Sequence, residues 1–193
     1  VGIQPHDPLK EKLEKLKTGY RVHLLAGRMA FAAERYEEAA IEFKKAADAN
    51  PDLPAALINL GVTTAKLKKY REAITYFQAA VSLQPENETV QYNLGTMYGF
   101  IGLYSKAIEH FKKVLQKTPK DGKTHFSLAS IYKADKQYGK AFQHFRAAIA
   151  NDKGLTQSFI EMAAIFSRAR QYREAVMVMQ EAQQRYPYNG PLT

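Results

Sequence analysis

The sequence predicts an all-α protein built as an α-solenoid of repeated helix pairs, and three observations carry that reading. The pair Leu60-Gly61 recurs as Leu94-Gly95, Leu128-Ala129 and Met162-Ala163, and one step earlier as Ala26-Gly27, always 34 residues apart. The columns Tyr36, Tyr70, Tyr104, Tyr138, Tyr172 and Ala39, Ala73, Ala107, Ala141, Ala175 run unbroken through five units. Three further columns keep the same register: Phe43, Phe77, Phe111, Phe145, Met179; Ala46, Ala80, Val114, Ala148, Ala182; and Pro51, Pro85, Pro119, Lys153, Pro187. A fixed period of this length is the signature of stacked supersecondary units, none of which buries its apolar face alone.

Taken in order, residues 1–19 form an N-terminal segment and lead-in helix. Residues 1–7 read as loose; Asp7 supplies a cap and Pro8 a first-turn proline. Leu9, Leu13, Leu16 and Tyr20 then trace one helical face. This segment covers the first repeat, or is the remnant of an earlier repeat or an arm for a neighbouring protomer. Five repeats follow at 20–53, 54–87, 88–121, 122–155 and 156–187. Each reads as two helices. In the second, Ala56, Leu57, Leu60 and Thr64 keep helical spacing, as do Ala73, Phe77 and Ala80. Lys68-Lys69 mark the turn, and Pro85 ends the second helix because proline cannot continue the hydrogen-bond ladder. Gly61 and Gly95 on first helices, and Ala73 and Ala107 on second helices, allow close approach. The tail, 188–193, echoes the start of a new first helix. Terminal repeats need a polar outer face, yet Val176, Met177, Val178 and Met179 form an apolar run. The expectation is that a capping helix is missing there, or that a partner or second copy covers this face.

Composition narrows the classes. The 193 residues carry 28 Lys+Arg against 19 Asp+Glu, a formal net charge of +9, with no cysteine. Zero cysteine excludes disulfide scaffolds, thiolate zinc sites and cysteine catalysis. No apolar run is long enough to span a bilayer. Val1 suggests a processed or trimmed chain. The compartment stays open, with a soluble cytoplasmic location favoured and peripheral membrane association allowed. The repeat at 122–155 holds six basic residues, including Lys133, Lys136, Lys140 and Arg146, against two acidic ones. Such a field favours acidic partner segments or anionic membrane surfaces. The scattered bases, without a stacking platform, argue against nucleic acid.

The spacing Leu94-Gly95-x2-Tyr98…Ala107-x3-Phe111…Pro119 resembles the tetratricopeptide repeat pattern, from about residue 20 to 187. The position where that pattern carries Trp holds His23, Leu57, Gln91, His125 and Phe159, and Lys153 replaces proline in the fourth unit. A pentatricopeptide array is the nearest look-alike; the strict 34-residue step and the Tyr, Ala and Phe columns argue against it. The resemblance implies a right-handed α-solenoid of helix-turn-helix repeats, with first helices lining a concave groove that holds a peptide or protein segment.

Carried onto this register, the groove-lining expectation falls on Leu24, Ile58, Tyr92, Phe126 and Ile160, then on Asn59 and Asn93, and on Arg28, Val62 and Thr96, with Lys66, Lys123 and Lys133 adding positive charge. Ile58, Tyr92 and Phe126 are apolar anchors of the kind that dominate hot spots. Asn59 and Asn93 each offer a donor and an acceptor to a peptide backbone, unless they serve only the array itself. The carboxylate clamp of chaperone-binding relatives maps only onto Asn93 and Lys123, with Ile58, Val62 and Ser127 at its other positions, so a chaperone-tail clamp is not expected.

No catalytic constellation stands out, and no cofactor is implied. The glycines Gly95, Gly99 and Gly102 lie in a helix and its turn and read as packing residues. His110 and His144 share a register position on neighbouring second helices, but no carboxylate accompanies them at ligand spacing, so solvated surface histidines are expected. The five methionines, Met29, Met97, Met162, Met177 and Met179, read mostly as core filler. The expected function is a non-enzymatic interaction scaffold or adaptor that also self-assembles, as organelle, magnetosome-type or pilus-assembly scaffolds do. The alternatives are the substrate-recruiting arm of a larger enzyme, such as a glycosyltransferase, and an RNA-binding helical array.

Overall fold

The computed structural model describes residues 8–152 and 156–187, with side chains from Gly19 onward. The expectations placed on residues 1–7, on the Leu9, Leu13 and Leu16 side chains, on Lys153 and on the 188–193 tail lie outside that description. The described residues form ten helices and no strand: α1 Pro8–Ala32, α2 Tyr36–Ala49, α3 Pro54–Lys66, α4 Tyr70–Leu83, α5 Glu88–Phe100, α6 Tyr104–Lys117, α7 Gly122–Ala134, α8 Tyr138–Asn151, α9 Gln157–Arg168 and α10 Tyr172–Arg185. No helix among them is long and apolar enough to cross a membrane.

Each sequence column has a structural meaning. The tyrosine column opens every second helix: Tyr36, Tyr70, Tyr104, Tyr138 and Tyr172 are the first residues of α2, α4, α6, α8 and α10. Proline follows one residue past the helix cap at Pro51, Pro85, Pro119 and Pro187, where it blocks continuation. The alanine and phenylalanine columns are core: Ala39, Ala73, Ala107, Ala141, Phe43, Phe77, Phe111 and Phe145 are all buried.

The turn from first to second helix is the same device five times. Glu34, Lys68, Gly102, Lys136 and Arg170, spaced 34 apart, all adopt positive φ, between 57° and 76°. At Lys68 the amide of Lys68 donates to the Ala65 carbonyl and that of Lys69 to the Thr64 carbonyl, 2.9 and 3.1 Å. This is the Schellman closure, in which a left-handed residue satisfies the orphan carbonyls of the helix end. The pairs at Glu34/Arg35, Lys136/Gln137 and Arg170/Gln171 repeat it.

The chain forms two compact units, Val1–Gly102 and Leu103–Thr193. In the first, α1 pairs with α2, α3 packs on both α2 and α4, and α5 packs on α4 and touches α3. α1 runs unbroken from Pro8 to Ala32, so the lead-in segment and the first helix of the first repeat are one helix. Its core joins Ala30, Ala39, Phe43 and Leu60, flanked by Leu24, Phe31 and Tyr76. Thr64 is buried in this unit with its hydroxyl donating to the Leu60 carbonyl, 2.7 Å. In the second unit, α7 packs on α6 and α8, and α9 on α8 and α10.

Two of the methionines expected as filler, Met97 and Met162, are buried; Met29, Met177 and Met179 are exposed. The exposed ones sit on helix faces that no described element covers, which helical spacing alone does not distinguish from a core face.

Candidate first-helix binding faces

In the first unit the expected lining residues come from α1, α3 and α5. Arg28, Asn59 and Val62, with Phe31, Ala32 and Phe43, line one cavity of about 310 Å³. Leu24 packs against the apolar clusters of the first repeat and is half-buried, so it supports the face. Ile58, Tyr92, Asn93 and Thr96 are half-buried on α3 and α5, and Lys66 is exposed at the end of α3. The Thr96 hydroxyl donates to the Tyr92 carbonyl at 3.0 Å, which leaves it acceptor capacity only. Asn59 and Asn93 differ in kind: both amides are half-buried, and neither hydrogen-bonds to any described residue. A half-buried amide without a partner keeps donor and acceptor capacity for an incoming backbone.

Phe31 enters this cavity without a sequence signal. Its register column reads Phe31, Ala65, Gly99, Lys133, Ser167, with no common chemistry; only its position three residues past Arg28 on the same helix places it there.

In the second unit Lys123 is exposed, and its backbone amide donates to the Asp121 carboxylate that caps α7, 3.2 Å. Phe126 is half-buried, edge-on to Phe145 with ring centroids 5.6 Å apart. Lys133 reaches across to α9, where its Nζ lies 2.5 Å from Glu161 Oε2. Burial pushes the Glu161 carboxyl up, but hydrogen bonds from Lys133 and Gln157 and the charge of Arg168 outweigh it and hold the group below its ordinary value. Lys133 is therefore a charge already engaged, a pairing the register gives no reason to expect. Ile160 stands half in solvent on a different cavity of about 750 Å³ between α9 and α10, which also holds Tyr172, Val176 and Met179.

His144 is not set out in solvent as expected. Its Nδ1 lies 2.9 Å from that of His125, and its ring stacks on Tyr132 at 5.5 Å, with Lys140 Nζ 5.4 Å from the centre of that tyrosine ring. His125 Nε2 lies 3.0 Å from the Pro119 carbonyl and so carries a hydrogen. A neutral His125 then presents a bare Nδ1, and His144 donates to it. Burial first, then the neighbouring His125 and Lys112, hold His144 below its ordinary pKa. Gln91, at the equivalent position one repeat earlier, likewise donates to the Pro85 carbonyl, 2.8 Å. No group of three or more His, Cys, Asp or Glu side chains that could hold a metal occurs among the described residues.

Two tetratricopeptide repeat models match the chain, one over residues 52–120 and the other over 17–54 and 92–155. No curated protein matches it. Among solved structures, MamA residues 41 to the end from Desulfovibrio magneticus RS-1 superposes with a TM-score of 0.81 at 19% identity, covering 89% of this chain and 97% of that one. A second MamA structure gives a TM-score of 0.81 at 18% identity over 93% and 99% of the two chains. YrrB, described as a TPR protein with an unusual peptide-binding site, gives 0.72 at 17% identity over 95% and 94%. At these identities the likeness establishes the fold, an all-α solenoid of helix-turn-helix repeats.

Proposed function

The chain belongs to the tetratricopeptide repeat family, and from that premise we propose that it is a non-enzymatic interaction scaffold whose first-helix faces hold a segment of a partner protein. One observation carries the reading: Asn59 and Asn93, one period apart on α3 and α5, keep amides with no described partner. Ile58 and Tyr92 precede them and supply apolar contact, while Lys66 favours an acidic segment. In the second unit Phe126 offers an equivalent anchor. The peptide-binding site of YrrB supports a peptide as the ligand class. The test is a pull-down with the chain against its Tyr92→Ala/Phe126→Ala variant. Partners lost only with the variant support the reading; identical partners for both refute it.

A second reading, self-association, is favoured by the α9–α10 surface. Val176 is 55% exposed and shares one cavity with exposed Ile160, Tyr172 and Met179. Scattered single apolar residues need no explanation, but a contiguous group marks an interaction face. Light scattering across a concentration series tests it: a mass that rises with concentration supports assembly, and a constant monomer mass refutes it. The RNA-array alternative is tested by titration across salt, where phosphate binding would show a steep slope.

A further inference from the structure

The turn geometry repeats with the register, but the space beside the turns does not. Tyr70, at the start of α4, stacks on Phe100, at the end of α5, with ring centroids 4.8 Å apart and planes inclined by 11°. Two periods on, Tyr138 occupies the position of Tyr70 and Arg168 that of Phe100. With the phenylalanine replaced, Tyr138 is 44% exposed and has no ring or cation partner among the described residues. A cavity of about 710 Å³ opens beside it between α8 and α9. Phe142 and Phe166 line it, their ring centroids 4.6 Å apart, and Lys133, Lys136 and Arg168 also border it. Glu161 is the one carboxylate among its lining residues, and Lys133 already pairs with it. Arg168 makes no hydrogen bond or ion pair with any described residue.

We propose that this α8–α9 groove docks an acidic protein segment that places one aromatic side chain against Tyr138 and sets carboxylates on Lys136 and Arg168. The aromatic requirement comes from the repeat itself, since the same tyrosine in the first unit is covered by a phenyl ring. Offset stacking of that kind adds to the apolar burial. The acidic requirement comes from the excess of positive charge, with Lys133, Lys136 and Arg168 facing the single carboxylate of Glu161: Arg168 presents a planar fork suited to a carboxylate, and Lys136 a mobile point charge. Phe142 and Phe166 give the groove an apolar aromatic wall, which favours a hydrocarbon ring. The site is distinct from the Asn59/Asn93 face: α7 and α9 bring Lys133, Glu161 and Arg168 to it, and Tyr138 and Phe142 of the second helix α8 complete it.

The test uses fluorescence anisotropy of the full chain with a labelled peptide in which one phenylalanine is flanked by runs of glutamate. Control peptides replace the glutamates by glutamine or the phenylalanine by alanine, and a labelled oligouridine tests the nucleic-acid class. The glutamate peptide binds, each control peptide binds at least about tenfold more weakly, and added salt weakens the complex. Arg168→Phe restores the ring present at position 100, so it closes the groove and lowers affinity about tenfold without lowering the melting temperature; Lys136→Glu gives a similar loss. Asn59→Ala/Asn93→Ala leaves this affinity unchanged. Unaltered binding by Arg168→Phe, equal binding of the glutamine peptide, or tighter binding of the oligouridine each overturns the proposal. Loss of binding in the asparagine variant alone moves the peptide to the first-helix faces and overturns this site while supporting the other.

Discussion

Gly61 lies so close to the ring of Phe77 that a Cβ at position 61 would stand 2.8 Å from Cε1 and 2.9 Å from Cζ. Gly27 and Phe43 repeat the relation at 2.6 Å. Both rings are buried, so neither can swing aside without disturbing the core. Gly61→Ala therefore destabilises the protein by about 1–3 kcal/mol, measured by urea denaturation, with helical content retained. A neutral effect would show that the helices part at little cost. Ala129 and Ala163 fill the same register later in the chain, so the requirement belongs to the first repeats.

Lys68 and Lys136 hold φ of 60°, a conformation that carries a steric cost for any residue with a Cβ. Lys68→Gly and Lys136→Gly each raise stability by about 0.5–1 kcal/mol, the relief of strain exceeding the entropy glycine loses on folding. The reverse change, Gly102→Lys, lowers it. Thermal melts of the three variants decide the matter, and a destabilised Lys68→Gly is the adverse result.

Asn59→Ala/Asn93→Ala weakens capture of a first-helix partner about tenfold while circular dichroism is unchanged. Among the described residues the side-chain amides make no hydrogen bond whose loss would unfold the array. A drop in melting temperature would instead assign them a structural role.

Glu161 is held below its ordinary value of 4.5 by Lys133 and Gln157 against the opposing effect of burial. A carboxyl with a depressed folded-state pKa contributes stability that is present above 4.5 and lost as pH falls through the lowered value. Glu161→Gln abolishes that component of the acid loss and, since the pair is partly solvated, lowers stability at neutral pH by no more than about 1 kcal/mol. Melting temperature measured from neutral to acidic pH reads both effects.

His144 is an imidazole whose folded pKa lies below 6.5, chiefly through burial. The unfolded chain then takes up a proton that the folded one refuses, so stability falls as pH drops below 6.5. Only one proton fits between the two Nδ1 atoms, which adds to the resistance. His144→Gln flattens this part of the pH profile; a variant with the wild-type profile would place the titration elsewhere.

The fold was legible because its determinants are periodic. Tyr36 through Tyr172 open second helices, Phe43 through Phe145 are buried core residues, and the prolines stop helices, so each column repeats one local cause. Side-chain pairings that break the period were not legible. His144 was expected in solvent, but its partner is His125, 19 residues away on the preceding helix. Lys133 reaches Glu161, 28 residues on. Neither separation is a whole period. The left-handed column was hidden for a different reason: Glu34, Lys68, Lys136 and Arg170 share a backbone state that only Gly102 announces by residue type.

That column has an evolutionary corollary. Glutamate, lysine and arginine carry much the same backbone cost at a turn tip, and their side chains leave the packing beneath untouched. The sign of charge at each tip is therefore free to drift while the hydrophobic frame stays fixed. Descendants of one ancestral array can diverge in electrostatic surface, and so in the company they keep, without ever renegotiating how they fold.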